Sequence, residues 1–329
     1  IDQHLDRVVT RWPGRVAIDD TCHQWTYLEL QQHVDRLAAL LAGTGAASQD
    51  VPVALWLPVG APVVAAMLAT LRAGGFYVVI EPDYPAARNP EILKDCNAGW
   101  VVTDSNHLPA ARASFPADRV LIWNDEPGTA PPVPVDADPA SRRAAIVYTS
   151  GSTGKPKGVV HSQAFILNWT RLYISDLHLS PSDRVGLLYS ASVAGSIRDI
   201  FGSLLCGATL VPVAPRMYSF DELAQRLHDA RISIYHSVAT LFRQLMTYQS
   251  SVTHFPAVRV LAFGGERLLS RDLALMRQRF PADALVYASI GSTETGTFAR
   301  LFLRSDSDTG HAVIPLGITP PDCKVCLVD

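Results

Sequence analysis

The sequence predicts a doubly wound α/β fold carrying two mainly parallel sheets. Three observations point there. Short β-rich runs alternate with helix-length segments along most of the 329 residues. One of these runs, VPVALWL (51–57), is apolar throughout, as a buried strand is. A proline-rich stretch, PGTAPPVPVDADPAS (127–141), interrupts the alternation and suggests a seam between two halves, 1–140 and 141–310.

Taken in order, residues 26–43 read as an amphipathic helix. Thr26 and Glu29 form a capping box, Leu28, Val34, Leu37 and Leu41 are expected to share its face, and Gly43 stops it. The buried strand 51–57 follows, then a helix over 61–73 and the strand FYVVI (76–80). Past the seam come AAIVY (144–148), RVGLLY (184–189), ATLVPV (208–213), ISIYHS (232–237), VRVLAF (258–263) and ALVYAS (284–289). Ser219 and Glu222 form a second capping box at the start of one intervening helix. No internal repeat or heptad pattern competes with this picture.

Composition narrows the function classes. The chain is 48% hydrophobic with a net charge of −3, so no large basic face invites nucleic acid or an anionic membrane. No apolar run reaches the roughly 18–20 residues of a membrane span, and no signal pattern opens the chain. Five scattered cysteines fit a reducing, cytoplasmic setting better than a disulfide framework. Cys323 and Cys326 form a C-x-x-C within a strand-like alternation and lack a second pair, which argues against a metal centre. A start at Ile1 suggests part of a longer protein.

YTSGSTGKPKG (148–158) carries the chemistry. It follows a strand, and its glycines expose backbone N–H groups while Ser, Thr and Lys add donors and charge, all suited to phosphate oxygens. A Walker loop fails: Thr149 stands where the first glycine belongs, and Pro156 follows Lys155 where a magnesium-binding hydroxyl is needed. A plain surface linker would rarely combine this alternation with a preceding buried strand.

This stretch resembles the signature of the acid-adenylating superfamily, which includes acyl-CoA synthetases, luciferases and the adenylation domains of nonribosomal peptide synthetases. WTYLEL (25–30), LRAGGFYVVIEPDYP (71–85), FGGERL (263–268), IGSTETG (290–296) and IPLGITPPDCKVCLVD (314–329) resemble further family motifs in the same order. The early and late ones are most similar to peptide-synthetase adenylation domains. The resemblance implies the large N-terminal core of such a domain, with 311–329 leading into a small β-barrel. The ribose-binding Asp, the hinge and the C-terminal subdomain with its lysine would lie past the end of this chain.

The resemblance also implies chemistry. A small carboxylic acid, an amino acid or amino-acid-like, attacks the α-phosphorus of ATP, giving an acyl-adenylate and pyrophosphate, and the acyl group passes to a thiol, commonly the phosphopantetheine of a carrier protein. A stand-alone acyl-CoA or acyl-AMP ligase and a degenerate, non-catalytic nucleotide-binding domain are the alternatives. Thr149, Ser150, Ser152, Thr153 and Lys157 would grip the triphosphate, with Gly151 and Gly154 shaping the loop. Glu294 would hold Mg²⁺ beside Thr293. Gly264, Gly265, Glu266, Ser289 and Gly291 would wall the nucleotide together with Ala288 and Ile290, where the family usually has an Asn and a stacking aromatic.

The expected acid pocket departs further. Ala194 occupies the position where amino-acid-activating members carry an Asp that pairs with the substrate ammonium, and Val193 precedes it where an aromatic is usual. A buried ammonium without a counter-charge is costly, so a standard α-amino acid is disfavoured. Arg198 shares a helix face with Ala194 and Gly195, whereas Asp199 lies about 100° further round. Arg198 could receive a substrate oxygen, or turn to Asp199 or a neighbouring loop as a structural residue. Ser237, Ala262, Gly264, Ser289, Thr297 and Phe298 complete the expected lining.

Overall fold

A computed structural model describes residues 1–85, 87–126, 141–150, 155–307, 310–315, 317–321 and 323–326. The first part runs α1 (Asp2–Arg11), β1 (Val16–Asp19), β2 (Gln24–Thr26), α2 (Tyr27–Gly43), β3 (Val53–Trp56), α3 (Ala61–Arg72), β4 (Tyr77–Val79), α4 (Arg88–Cys96), β5 (Trp100–Thr103), α5 (Leu108–Ser114) and β6 (Val120–Ile122). Next come β7 (Arg143–Ser150), β8 (Pro156–Ser162), α6 (Gln163–Leu177), β9 (Arg184–Leu187), α7 (Ala194–Cys206), β10 (Thr209–Pro212) and α8 (Phe220–Asp229). The last elements are β11 (Ile234–Ser237), α9 (Ala239–Thr247), β12 (Val260–Phe263), α10 (Ser270–Arg279), β13 (Leu285–Ser292) and β14 (Gly296–Arg304).

Two sheets form, as the alternation predicts. The six-stranded sheet has the order β6-β5-β3-β4-β7-β8 and the eight-stranded sheet the order β14-β13-β12-β11-β9-β10-β1-β2. Interior pairs are parallel, while β7–β8, β13–β14 and β1–β2 are antiparallel. Sheet membership crosses the expected break at 140: β1 and β2 join the larger sheet, β7 and β8 the smaller. The proline-rich stretch 127–140 lies outside the described residues.

One hydrophobic cluster spans both sheets, taking Leu55 and Tyr77 from the smaller and Leu187 and Leu210 from the larger. The buried helix α3 runs through it. Its terminal Arg72 is 5% exposed and meets the carboxylates of Asp2, Asp6 and Asp35, clamping α1, α2 and α3 together.

Both capping boxes form. The Thr26 and Ser219 hydroxyls accept from the backbone of Glu29 and Glu222, whose carboxylates reach back to the cap N–H groups. One detail of α2 differs from expectation. Its buried face is Tyr27, Leu30, Val34, Leu37, Ala38 and Leu41, while Leu28 is 45% exposed. Leu28 lies thirteen residues from Leu41, which at about 100° per residue places it on the opposite side. Past 310, the described residues make only two isolated bridges, Leu269 to Val313 and Arg300 to Ile318, and 323–326 form no strand despite their alternation.

Candidate functional site

The phosphate-loop candidate joins two antiparallel strands. β7 runs to Ser150 and β8 returns from Pro156, with Thr149 opposite Lys157 and the Thr149 hydroxyl 3.4 Å from the Lys157 carbonyl. Gly151, Ser152, Thr153 and Gly154 lie outside the described residues. Lys157 is exposed on the returning strand.

A second hairpin meets this one. β13 and β14 connect through Ser292–Thr293–Glu294–Thr295, closed where a Cβ on Gly291 would lie 2.2 Å from the Gly296 carbonyl oxygen. Buried His161, on β8, contacts the Thr293 carbonyl through Nε2 at 2.7 Å, so Nε2 carries the proton and donates. Burial pushes the His161 pKa below its ordinary value, leaving the ring neutral. Phe165 and Trp169, on the helix that follows, flank the imidazole at 4.5 and 6.4 Å.

Glu294 is thereby held beside the β7–β8 hairpin, fully exposed. Its own backbone N–H and the Ser292 hydroxyl hold its carboxyl below the usual carboxylate range, with Lys157 adding in the same sense. An ionised, open carboxylate suits a hard cation that takes most of its ligands from phosphate oxygens and water. Among the described residues no three His, Cys, Asp or Glu side chains converge as a metal centre.

A cleft of about 900 Å³ opens next to this turn. Its walls include Gly265, Glu266, Ala288, Ser289, Ile290 and Gly291 from the expected nucleotide set, plus Phe263, Leu268 and the segment His311–Pro315. Gly265 adopts φ +82°, a conformation that side chains resist, and lets the chain turn at the end of β12. Glu266 accepts from the Thr240 N–H at 2.7 Å, so its carboxylate is engaged at the start of α9.

The residues expected to line the acid pocket gather at the C-terminal ends of β11, β12 and β13 and the start of α7, the usual ligand side of such a sheet. Ala194 opens α7 and is buried, Val193 is 40% exposed, and Gly195 faces the Tyr189 ring. Arg198 is 5% exposed. Its Nη1 donates to Ser289 Oγ at 3.2 Å and Thr297 Oγ1 at 3.1 Å, and its Nη2 lies 3.2 Å from His236 Nε2. The guanidinium also packs over the rings of Trp169 and Tyr173 at 5.5 and 5.2 Å. Asp199 is fully buried and accepts from Tyr173 Oη and His236 Nδ1, each at 2.8 Å. Arg198 therefore communicates with Asp199 through a histidine.

Strand geometry corrects one pocket residue. Ser237 turns away, donating to Tyr235 Oη at 2.9 Å and to the Val238 carbonyl at 3.0 Å, and His236 takes the pocket face. Ala262 pairs with His236 across the sheet and shares that face, while Phe298 is the extra residue of a β-bulge opposite Ile290 and Gly291. The sequence reading missed His236, Tyr189, Trp169 and Tyr173. Strand alternation separates 236 from 237, but every residue of β11 is buried, so no polar face marked which side held the site.

The chain matches the model of the "AMP-binding enzyme" family over residues 5–329. It is 30% identical over 334 residues to tyrocidine synthase 2 of Brevibacillus parabrevis, covering 100% of this chain and 9% of that protein. Among solved structures, the α-methyl-L-serine-AMP-bound form of the nonribosomal peptide synthetase FmoA3 superposes with a TM-score of 0.85 at 26% identity, over 97% of this chain and 36% of that one. The N-terminal subdomain of Klebsiella oxytoca NpsA, in complex with 3-hydroxybenzoyl-AMSN, shares the fold with a TM-score of 0.80 at 23% identity, over 98% and 80% of the two chains. The chain thus spans under a tenth of the curated relative and about a third of the FmoA3 structure.

Proposed function

The chain belongs to the AMP-binding enzyme family, and from that premise we propose that it activates a small carboxylic acid as its acyl-adenylate, consuming ATP and releasing pyrophosphate. The observation that carries this reading is the coupling of two distant hairpins. His161 fastens the Thr293–Glu294 turn to the strand bearing Lys157, so a cation and an ionised carboxylate stand on joined hairpins, and the cleft begins at the neighbouring Gly291.

Positioning and charge neutralisation dominate such chemistry, because the acid carboxylate is a weak nucleophile repelled by phosphates. Thr149, Ser150, Ser152, Thr153 and Lys157 donate to the triphosphate. Gly264, Gly265, Glu266, Ser289 and Gly291 border the base and sugar. Glu294, beside Thr293, would hold Mg²⁺, which would supply charge screening between the nucleotide and the attacking oxygen. The acid lies over Arg198 with its carboxylate toward the cleft. The buried Ala194 offers no partner to an ammonium and Arg198 repels one, so the acid lacks a free α-ammonium and is an α-keto, α-hydroxy or aryl acid. The acyl group then passes to the phosphopantetheine thiol of a carrier protein.

A second reading, a nucleotide-binding domain without activity, is favoured by Ala288 and Ile290, which give the cleft neither an amide nor an aromatic ring. Acid-dependent ATP–pyrophosphate exchange separates the two. The protein carrying this chain is expected to exchange. Lys157→Ala combined with Thr153→Ala is expected to slow exchange by more than a hundredfold, each charge-assisted contact contributing roughly 1.5–3 kcal/mol. Unchanged exchange in the double variant contradicts the phosphate assignment.

A further inference from the structure

The Arg198 environment carries more than a pocket lining. Arginine only donates hydrogen bonds, so its contact with His236 Nε2 requires that nitrogen to be unprotonated. The proton then sits on Nδ1 and is donated to Asp199, which also accepts from Tyr173. Burial of His236, which lowers its affinity for a second proton, agrees with this neutral tautomer. The resulting chain places an anion, a neutral imidazole and a cation in line, all at or below 5% exposure.

The guanidinium is not fully used. Both Nη1 protons are taken by Ser289 and Thr297 and one Nη2 proton by His236, which leaves one Nη2–H and the Nε–H; Nε is buried and makes no hydrogen bond. Every group it touches directly is neutral. The position a Cβ would take at Gly264 lies 3.2 Å from Arg198 Nη2, 3.4 Å from Ser289 Oγ and 3.8 Å from His236 Nε2. Three polar groups therefore converge where residue 264 has no side chain, and Ser289 and Gly265 continue from there into the cleft wall.

Building on the acid-activating reading above, we propose that Asp199 and His236 are positioning residues that hold Arg198 as a fixed donor, and that Arg198 selects an acid carrying a second oxygen acceptor, a carbonyl or a carboxylate. Spare N–H donors on a desolvated cation gain from an electron-rich oxygen, gain nothing from a bare hydrocarbon and repel an ammonium.

The test compares matched acids in ATP–pyrophosphate exchange and in melting-temperature shift. Two pairs serve: 4-methylpentanoate with 4-methyl-2-oxopentanoate, and benzoate with isophthalate, so the keto and dicarboxylate arms distinguish the two acceptors. Wild type is expected to favour the oxygen-bearing member of at least one pair by about tenfold or more. Arg198→Met brings that ratio near one, and Arg198→Lys keeps part of it. His236→Phe, with Arg198 intact but unbraced, lowers the ratio in the protein that remains folded, a change of selectivity that a purely structural role would not produce, while the melting temperature falls because Asp199 loses a buried partner. Where Arg198→Met does not fold, His236→Phe and Arg198→Lys carry the comparison. A ratio near one in wild type for both pairs overturns the proposal, as does a ratio that the folded variants leave unchanged. If no acid supports exchange, the adenylation reading fails separately. The same ratios read from the melting shifts then decide the Arg198 proposal, and no shift by any oxygen-bearing acid overturns it.

Discussion

Glu294 shows how much a single residue owes to its neighbours. Alone it is an exposed carboxylate, but the Ser292–Thr295 turn fixes it, and its own N–H with the Ser292 hydroxyl keeps it ionised. Glu294→Gln is expected to leave the fold intact and to raise several-fold the magnesium needed for half-maximal exchange, since an amide is a poorer ligand for a hard cation. A magnesium titration identical to wild type contradicts that role. The carboxylate itself was readable in G-S-T-E-T, as was Arg198 from helix periodicity. The partners were not. His161 reaches Thr293 across 132 residues and His236 reaches Asp199 across 37, and such separations leave no trace in local pattern.

At the scale of elements, most interior strands were legible because buried parallel strands read as apolar runs, but β1 and β5, each only four residues long, were missed. The antiparallel edges were not. β8 opens Pro-Lys-Gly and is largely exposed, and β14 mixes buried positions with two arginines. Yet these edges form the two hairpins that present the candidate site. The β13–β14 turn depends on Gly291, because a methyl group there meets the Gly296 carbonyl at 2.2 Å. Gly291→Ala is expected to cost about 1–3 kcal/mol in denaturant unfolding, the usual range for overpacking. Gly14, with nothing within 4 Å of its Cβ position, provides the control. Equal stability of the two alanine variants contradicts the close-approach account of this hairpin.

For the whole molecule, the alternation of strands and helices gave the fold class, but not the crossing by which each half lends strands to the other. One buried carboxylate helps hold the larger sheet together. Asp183, at the start of β9, is gripped by Arg259 through two contacts of 2.8 Å and accepts from Ser233 Oγ and the Ser180 N–H. Burial alone would push its pKa up, but the Arg259, Ser233 and Ser180 hydrogen bonds outweigh that and leave it below the ordinary value. A carboxyl depressed in the folded state stabilises above its unfolded pKa of about 3.9, and that contribution is lost as pH falls through the lower folded value. Asp183→Asn is therefore expected to lose about 2 kcal/mol at neutral pH, and progressively less as urea midpoints are measured below about pH 4. A pH-independent difference would contradict this.

The central claim is that the assembled site adenylates an acid with no free α-ammonium. Its most direct measurement is ATP–pyrophosphate exchange with matched α-amino, α-keto, α-hydroxy and aryl acids, in wild type and in Ala194→Asp with and without Arg198→Ala. The account predicts that wild type favours an acid lacking the ammonium, and that the new carboxylate shifts preference toward the α-amino acid, most clearly once Arg198 is removed. Ordinary α-amino acids exchanging best in wild type, or an amino-to-keto ratio unmoved by Asp at 194 in both backgrounds, would contradict it.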